Sequence, residues 1–189
     1  MKQIWLIRHG ESIANAGAAT PDHVTIPLSE VGREQAKQVS LLLPYAPDLI
    51  ITSPFTRAQQ TAVPTLNRFP EVRREVWDVH EFTYLSPASC TNTTAADRRA
   101  RVNEYWERSD PDYHDGEGAE SFREFISRAQ AASDRLSRLP DGLIVMFTHA
   151  QFVRAMRLLH DTVERDTKVL MGQFRALPRV LNCEITKWE

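Results

Sequence analysis

The sequence predicts an α/β fold, a three-layer sandwich with a mostly parallel central sheet and helices on both faces. Two runs carry that expectation. Ile4-Trp5-Leu6-Ile7 and Leu143-Ile144-Val145-Met146-Phe147 are apolar without alternation, the pattern of strands covered on both faces in a parallel sheet. Between them, apolar residues recur at helical spacing, which supplies the covering layers. Both runs also stop in the same way, one at Arg8-His9-Gly10 and the other at Thr148-His149. In open α/β sheets, ligands bind in the crevice beyond the carboxyl ends of the strands.

A chain of 189 residues fits one domain, 1–189, with a sizeable core. Its 42% hydrophobic and 25% charged residues are those of an ordinary soluble globular protein. A net charge of -2 provides no general basic field, which argues against nucleic-acid binding, so any anion site must be built locally. Cys90 and Cys183 are far apart and form no metal-like pair, and they read as reduced thiols. Met1-Lys2 leads straight into the first strand without a signal-peptide pattern. No apolar run approaches the ~20 residues of a membrane helix, so the expectation is a cytoplasmic protein with no membrane partner.

In chain order, Ile13 to Pro27 is irregular and long enough to close over a site. Within it Asp22-His23 reads as surface, and Asn15 as turn chemistry or an amide for an anion. Ser29 caps a helix with Glu30 in its first turn, Ala36, Val39, Leu42 and Leu43 form its apolar face, and Pro44 helps end it. Leu49-Ile50-Ile51 is a second strand. A helix from Thr56 to about Asn67 follows, capped by Thr56 or Ser53 and kinked at Pro64. Glu71 to Val76 is the third strand, with Asp78, His80 and Glu81 gathered beyond it. Thr83 to Asp97 is a loop and Asp97 to Arg108 a short helix with Val102, Tyr105 and Trp106 on one face. Ser109 to Gly118 reads as a solvated acidic turn, since Asp110, Asp112, His114, Asp115 and Glu117 lack the spacing of a calcium-binding EF-hand loop. Ser121 to Leu139 is the clearest helix, with Phe122, Phe125, Ile126, Ala129 and Leu136 on its stripe. After the strand at 143–147, helices are expected from Ala150 and over Asp161 to Phe174, and a terminal strand over Arg179 to Trp188.

A cation is expensive to bury alone, so Arg8 at the end of a buried strand needs an anion, either a carboxylate of the fold or a phosphate from outside. Arg57 lies in the first turn of its helix, where the helix end is already positive, and an anion between the two explains it. Two histidines delivered by the same device, His9 and His149, make a purely structural role for each improbable. Arg8, Arg57 and a protonated His149 can hold the oxygens of a phosphoryl group, and a neutral histidine can attack its phosphorus. A carboxylic acid such as Glu81 or Asp78 can give the departing alkoxide its proton.

These residues resemble the histidine phosphatase superfamily, also called phosphoglycerate mutase-like. The matching pieces are Leu6-Ile7-Arg8-His9-Gly10-Glu11-Ser12 with Asn15, and Leu28-Ser29 with Gly32 and Gln35-Ala36. Ser53-Pro54 with Arg57-Ala58 and Thr61 follows, and Thr148-His149 completes the set, in the family's order. The resemblance implies that His9 is a nucleophile that becomes phosphohistidine. It implies a phosphate pocket of Arg8, Arg57 and His149, assisted by Asn15 and Ser12, and a proton donor at Glu81 with Asp78 in reserve. It further implies a small phosphorylated substrate, with no metal and no cofactor. Two departures stand out: the donor is followed by Phe82-Thr83-Tyr84-Leu85 rather than a Gly-rich segment, and His149 is followed by Ala150 where glycine is common. Cofactor-dependent mutases of the family are generally longer, which favours hydrolysis over return of the phosphoryl group to substrate. A phosphoglycerate mutase is the alternative enzyme, and a non-catalytic phosphate-binding or scaffolding module the alternative of another class. Ile13 to Pro27 and Thr83 to Gly118 are the candidate cap or specificity segments, and Arg98, Arg99 and Arg101 in the latter read as a solvated helix face.

Overall fold

Alternate residues of the two long apolar strands face two separate cores, in a computed structural model that describes residues 1–188. Strands β1 (Lys2–Arg8), β2 (Leu49–Thr52), β3 (Arg73–Val76), β4 (Gly142–Thr148) and β5 (Ile185–Trp188) form one sheet in the order β3-β2-β4-β1-β5. All neighbours are parallel except β5, which runs antiparallel to β1. On one face Trp5, Ile7, Ile50, Val145 and Phe147 pack against α1 (Glu30–Leu42) and α2 (Thr56–Arg68) through Val39 and Ala62. On the other, Leu6, Ile51, Ile144 and Met146 meet α5 (Phe122–Ser137), α6 (Ala150–Asp161) and α7 (Thr167–Ala176) through Phe125, Phe152 and Phe174. The short helix α3 (Pro87–Cys90) and α4 (Arg99–Arg108) lie in the connection between β3 and α5, and Tyr105 of α4 is buried in the second core.

The local chemistry explains the element ends. Ser29 caps α1 by accepting from the Gly32 amide, and Ser121 with Glu124 forms a reciprocal capping box at α5. Asp166 accepts from the amides of Lys168 and Val169, so α7 begins at Thr167, later than the apolar spacing after Asp161 suggests. Leu42 is 62% exposed and Leu43 carries the buried end of the α1 face instead. Helix α2 has neither expected cap: its N-cap is Phe55, without a side-chain bond, and the helix runs on through Pro64 to Arg68. The terminal strand is confined to Ile185–Trp188, because residues 177–184 turn beneath the end of β1, with Cys183 in the left-handed region at φ 58. The acidic turn is tied down by the ion pair of Asp112 with Arg123 and by a 2.8 Å hydrogen-bond contact between His114 Nε2 and Glu124. No helix among the described residues is long and apolar enough to cross a membrane.

Register positions the crevice. Arg8 pairs with Thr148 across β1 and β4, and the ladder continues as the His9 amide donates to the Thr148 carbonyl at 2.9 Å. The two histidines therefore leave the sheet side by side.

Candidate active site

The imidazoles of His9 and His149 stand with ring centroids 5.1 Å apart at the carboxyl edge of the sheet. Both are almost fully buried, and so is Arg57. His9 Nδ1 lies 2.7 Å from the Gly10 carbonyl, which can only accept, so the proton sits on Nδ1. Its Nε2 lone pair is left to accept from Arg57 Nε at 3.1 Å. Burial, then the charges of Arg57 and Arg8, hold the His9 imidazole well below its ordinary pKa, so the ring is neutral at physiological pH. A neutral imidazole with a free lone pair is a nucleophile.

The second histidine is neutral for the same reasons: burial first, then Arg57 and His9. The protonated His149 expected from the sequence is thus not the resting form. Its Nε2 lies 2.8 Å from the Ser53 hydroxyl, and that hydroxyl oxygen already accepts from the Phe55 amide. With the Ser53 proton directed at Nε2, Nδ1 carries the ring proton, and this buried N–H has no acceptor among the described residues. A phosphoryl oxygen would supply one.

Arg57 projects from the first turn of α2 as expected, and its Nη1 donates to the His23 carbonyl at 2.7 Å. Burial lowers its pKa to about 10, which leaves it charged at neutral pH. Arg8 donates through Nη1 to the Val180 carbonyl at 2.7 Å, while its buried Nε has no partner among the described residues. Neither arginine forms a salt bridge with a carboxylate of those residues. Ser12 and Asn15 form a reciprocal turn, each backbone amide donating to the other's side-chain oxygen at 3.2 Å. Asn15 Oδ1 also faces Arg8 Nη2 at 3.5 Å, so Asn15 borders the arginine, whereas the buried Ser12 hydroxyl is engaged in the turn.

Glu81 comes from the segment beyond β3. Its Oε1 accepts from the Phe82 amide at 3.1 Å and from the Gln151 amide, in the first turn of α6, at 3.0 Å. Burial raises its pKa against the opposing pull of Arg57 and Arg8, which favours a carboxyl that can still carry a proton. Asp78 is placed differently. Its carboxylate is 71% exposed and bonds His80 Nε2 at 2.9 Å, at the opposite end of that ring from the Glu81 carbonyl.

A cavity of about 180 Å³ opens from Arg57 and Glu81 and is walled by Phe55, Phe82, Tyr84 and Leu85, with His23 and Arg98 also lining it. His23, read from sequence as surface, is half-buried with its ring edge-on to Phe55, so that reading is corrected. Of the three arginines read as a solvated face, Arg99 is exposed and Arg101 pairs with Asp115, but Arg98 lines the cavity. Its Nη1 is anchored on the carbonyl and hydroxyl of Thr93 at 2.9 and 2.8 Å. Thr93 in turn bridges to Thr20, which joins the two candidate specificity segments into one roof.

Several supporting groups escape the sequence reading. Asn182 donates to the His9 carbonyl at 3.0 Å and to Asn15 Oδ1 at 3.2 Å. The Thr61 hydroxyl accepts from the Gly10 amide at 3.0 Å, and Ser53 fixes His149. Of these, Ser53 and Thr61 carry a signal, as parts of the matched motifs, and Asn182 carries none.

Comparison with known proteins agrees with this geometry. The family model described as the histidine phosphatase superfamily (branch 1) matches residues 4–172. The adenosylcobalamin/alpha-ribazole phosphatase of Salmonella typhimurium is 32% identical over 154 residues, covering 70% of this chain and 69% of that protein. The fold is shared with a mycobacterial glucosyl-3-phosphoglycerate phosphatase (TM-score 0.75, 22% identity, 100% of this chain and 91% of that one). It is shared equally with the phosphoserine phosphatase of Entamoeba histolytica (TM-score 0.76, 20% identity, 100% and 91%). A sheet edge that sets two neutral imidazoles beside two guanidiniums, within a sequence matched over nearly its whole length, makes the chain a member of the histidine phosphatase superfamily, branch 1.

Proposed function

We propose that the protein hydrolyses a small phosphomonoester through a phosphohistidine on His9, without a metal or other cofactor. The observation that carries this reading is the His9 ring itself, proton-bearing Nδ1 on the Gly10 carbonyl and Nε2 lone pair toward Arg57. The substrate phosphoryl group lies among Arg8, Arg57 and His149, and Arg57 Nε–H passes from the imidazole to a phosphoryl oxygen. Nε2 attacks phosphorus as the P–O ester bond breaks, and the Glu81 carboxyl protonates the departing oxygen. The Gly10 carbonyl then stabilises the positive charge on the phosphorylated ring. In the second half, the Glu81 carboxylate takes a proton from water, the oxygen attacks phosphorus, and the N–P bond breaks to release phosphate and restore neutral His9. Fixed donors aimed at the equatorial oxygens stabilise both transition states.

A brief acid-free quench after mixing with a ³²P-labelled alkyl phosphomonoester should trap an acid-labile, base-stable phosphoprotein, and turnover should persist in EDTA. Release of inorganic phosphate from phosphoglycerate, rather than its positional isomer, distinguishes hydrolysis from the mutase reaction. Binding of phosphate without turnover across a broad panel would support the non-catalytic module instead.

The groups also set a pH profile. His9, held below the ordinary imidazole range, stays neutral into acid, so the acid limb lies below that range. Glu81, held above the usual carboxylate range, loses its proton as pH rises through that raised value, and donation to an alkoxide falls with it. The kcat/KM for an alkyl phosphate should therefore peak in mild acid, and Glu81→Gln should remove the alkaline limb along with most of the rate.

For the leaving group, the roof of residues 83–118 offers aromatic walls and, beyond the guanidinium of Arg57, that of Arg98. Arg98→Met should raise KM about tenfold for phosphomonoesters that carry a second anionic group, the worth of one charge-assisted contact at a half-open rim. KM for neutral leaving groups of similar size should stay unchanged.

A further inference from the structure

His80 is a titratable group beside the crevice that the reaction as written does not use, and both of its ring nitrogens are engaged. Its Nδ1 lies 2.9 Å from the Glu81 carbonyl and its Nε2 lies 2.9 Å from Asp78 Oδ1. Both partners are acceptors, so the ring makes the two bonds together only with a proton on each nitrogen. The ring also stacks on Phe55 at 5.2 Å and 12°, and Phe55 packs edge-on against His149 at 5.2 Å. The backbone on either side is held from α5, where Arg128 donates to the carbonyls of Asp78 and His80, each at 3.1 Å, and is itself paired with Glu120. From β4, the Thr148 hydroxyl donates to the Val79 carbonyl at 2.6 Å. Every residue from Asp78 to Glu81 therefore has its carbonyl held, and at Glu81 His80 supplies the shorter bond, 2.9 Å, beside the Thr83 hydroxyl at 3.3 Å.

We propose that His80, clamped between the Asp78 carboxylate and the Glu81 carbonyl, is a positioning residue that fixes the Glu81 carboxyl for proton donation. The proposal rests on Glu81 being the donor. It gives Asp78 a different duty from the reserve donor of the sequence reading: its carboxylate orients the imidazole. Because the clamp is made to the Glu81 carbonyl, its loss should slow the steps that Glu81 serves, and within phosphorylation only the one that gives the leaving group a proton. Attack by His9 on an ester with a good leaving group needs little help from Glu81, whereas an alkoxide cannot leave without it.

The experiment compares wild type with His80→Phe, Asp78→Asn and Glu81→Gln, each on glycerol 2-phosphate and on p-nitrophenyl phosphate. His80→Phe keeps a ring on Phe55 and removes both hydrogen bonds. It should lower kcat/KM, which reports phosphorylation alone, about tenfold for glycerol 2-phosphate and less than about twofold for p-nitrophenyl phosphate. Asp78→Asn should give the same pattern more weakly. A readout independent of turnover is hydrogen exchange at the Phe82 and Gln151 amides, which are protected by the Glu81 carboxylate. In His80→Phe these amides should exchange faster while those of the central strands do not. Equal losses on both substrates, or unchanged kinetics and unchanged exchange, overturn the proposal. If Glu81→Gln shows the leaving-group dependence and His80→Phe does not, the clamp is wrong and the donor stands. If Glu81→Gln shows none, the donor assignment and the clamp fall together, while faster exchange would still report the contact.

Discussion

His9→Ala should abolish turnover, by about four to six orders of magnitude in kcat, and should leave no labelled phosphoprotein. The size of the effect follows from what the ring does. It supplies the electron pair that splits one displacement into two, and no neighbouring group can replace it, because His149 directs its Nε2 toward Ser53. The fold should survive the change. His9 follows the β1–β4 ladder through its backbone, and Asn182 holds its carbonyl rather than its ring. Phosphate should still raise the melting temperature of the variant through Arg8 and Arg57, by the mass-action term that any native-state ligand contributes. Loss of activity with retained phosphate stabilisation separates the nucleophile from the pocket. Residual labelling at the wild-type level would place the covalent chemistry elsewhere.

Gly32→Ala should be the most damaging small substitution outside the titrating residues. A Cβ there would sit 1.9 Å from the Glu11 carbonyl oxygen, a backbone atom with no rotamer to yield. The loop carrying His9 and the N-terminus of α1 touch from both sides, since a Cβ on Gly10 would lie 2.5 Å from the Gly32 carbonyl oxygen. Separating them also strains the Ser29-to-Glu11 bonds, where the Ser29 amide donates to the Glu11 carbonyl at 2.9 Å and its hydroxyl to Glu11 Oε1 at 2.7 Å. We expect a loss of about 3 kcal/mol in stability, a melting temperature lower by about 6–12 °C. Displacement of the nucleophile by about 1 Å would cost a further hundredfold in kcat/KM. Gly172→Ala is the control. A methyl group at that position would have nothing within 4 Å, it sits inside α7, and helix propensity predicts a gain of about 0.5–1 kcal/mol. Thermal melts and steady-state kinetics of the two variants decide the point.

What the sequence makes legible is whatever rests on a continuous pattern. Strands β1 and β4 and helix α5 are readable because long unbroken periodicity has few alternative meanings. The stretch from Arg179 misleads because its alternation of apolar and polar residues is also what a chain shows when it lays successive groups against one site. Val180 offers its carbonyl to Arg8, Asn182 its amide to His9, and Cys183 turns through a positive φ. The same distinction divides the candidate site. Arg8, His9 and His149 are visible as charged or titratable residues ending apolar strands, and Arg57 as a cation misplaced at a helix start. His23 and Asn182 meet them only after folding, through contacts with a backbone carbonyl, and leave no local mark. His149 is identifiable from sequence but its charge is not, because the field of Arg57 and the depth of burial are properties of the assembled crevice.

The parallel register of β1 and β4 has a consequence for how such a protein can change. Neighbouring strands in any sheet lie about 4.8 Å apart, and the two imidazoles, one residue past paired positions, inherit that spacing at 5.1 Å between rings. The gauge of the reacting pair is thus set by the most rigid part of the molecule and cannot be retuned without slipping a whole strand. The roof, by contrast, is held by side-chain and loop contacts outside the sheet, among them the bridge between Thr20 and Thr93, the anchoring of Arg98 and the pairing of Arg101 with Asp115. Substitutions there can reshape what enters while the distance between nucleophile and partner stays fixed, so new substrates can be acquired without relearning the chemistry.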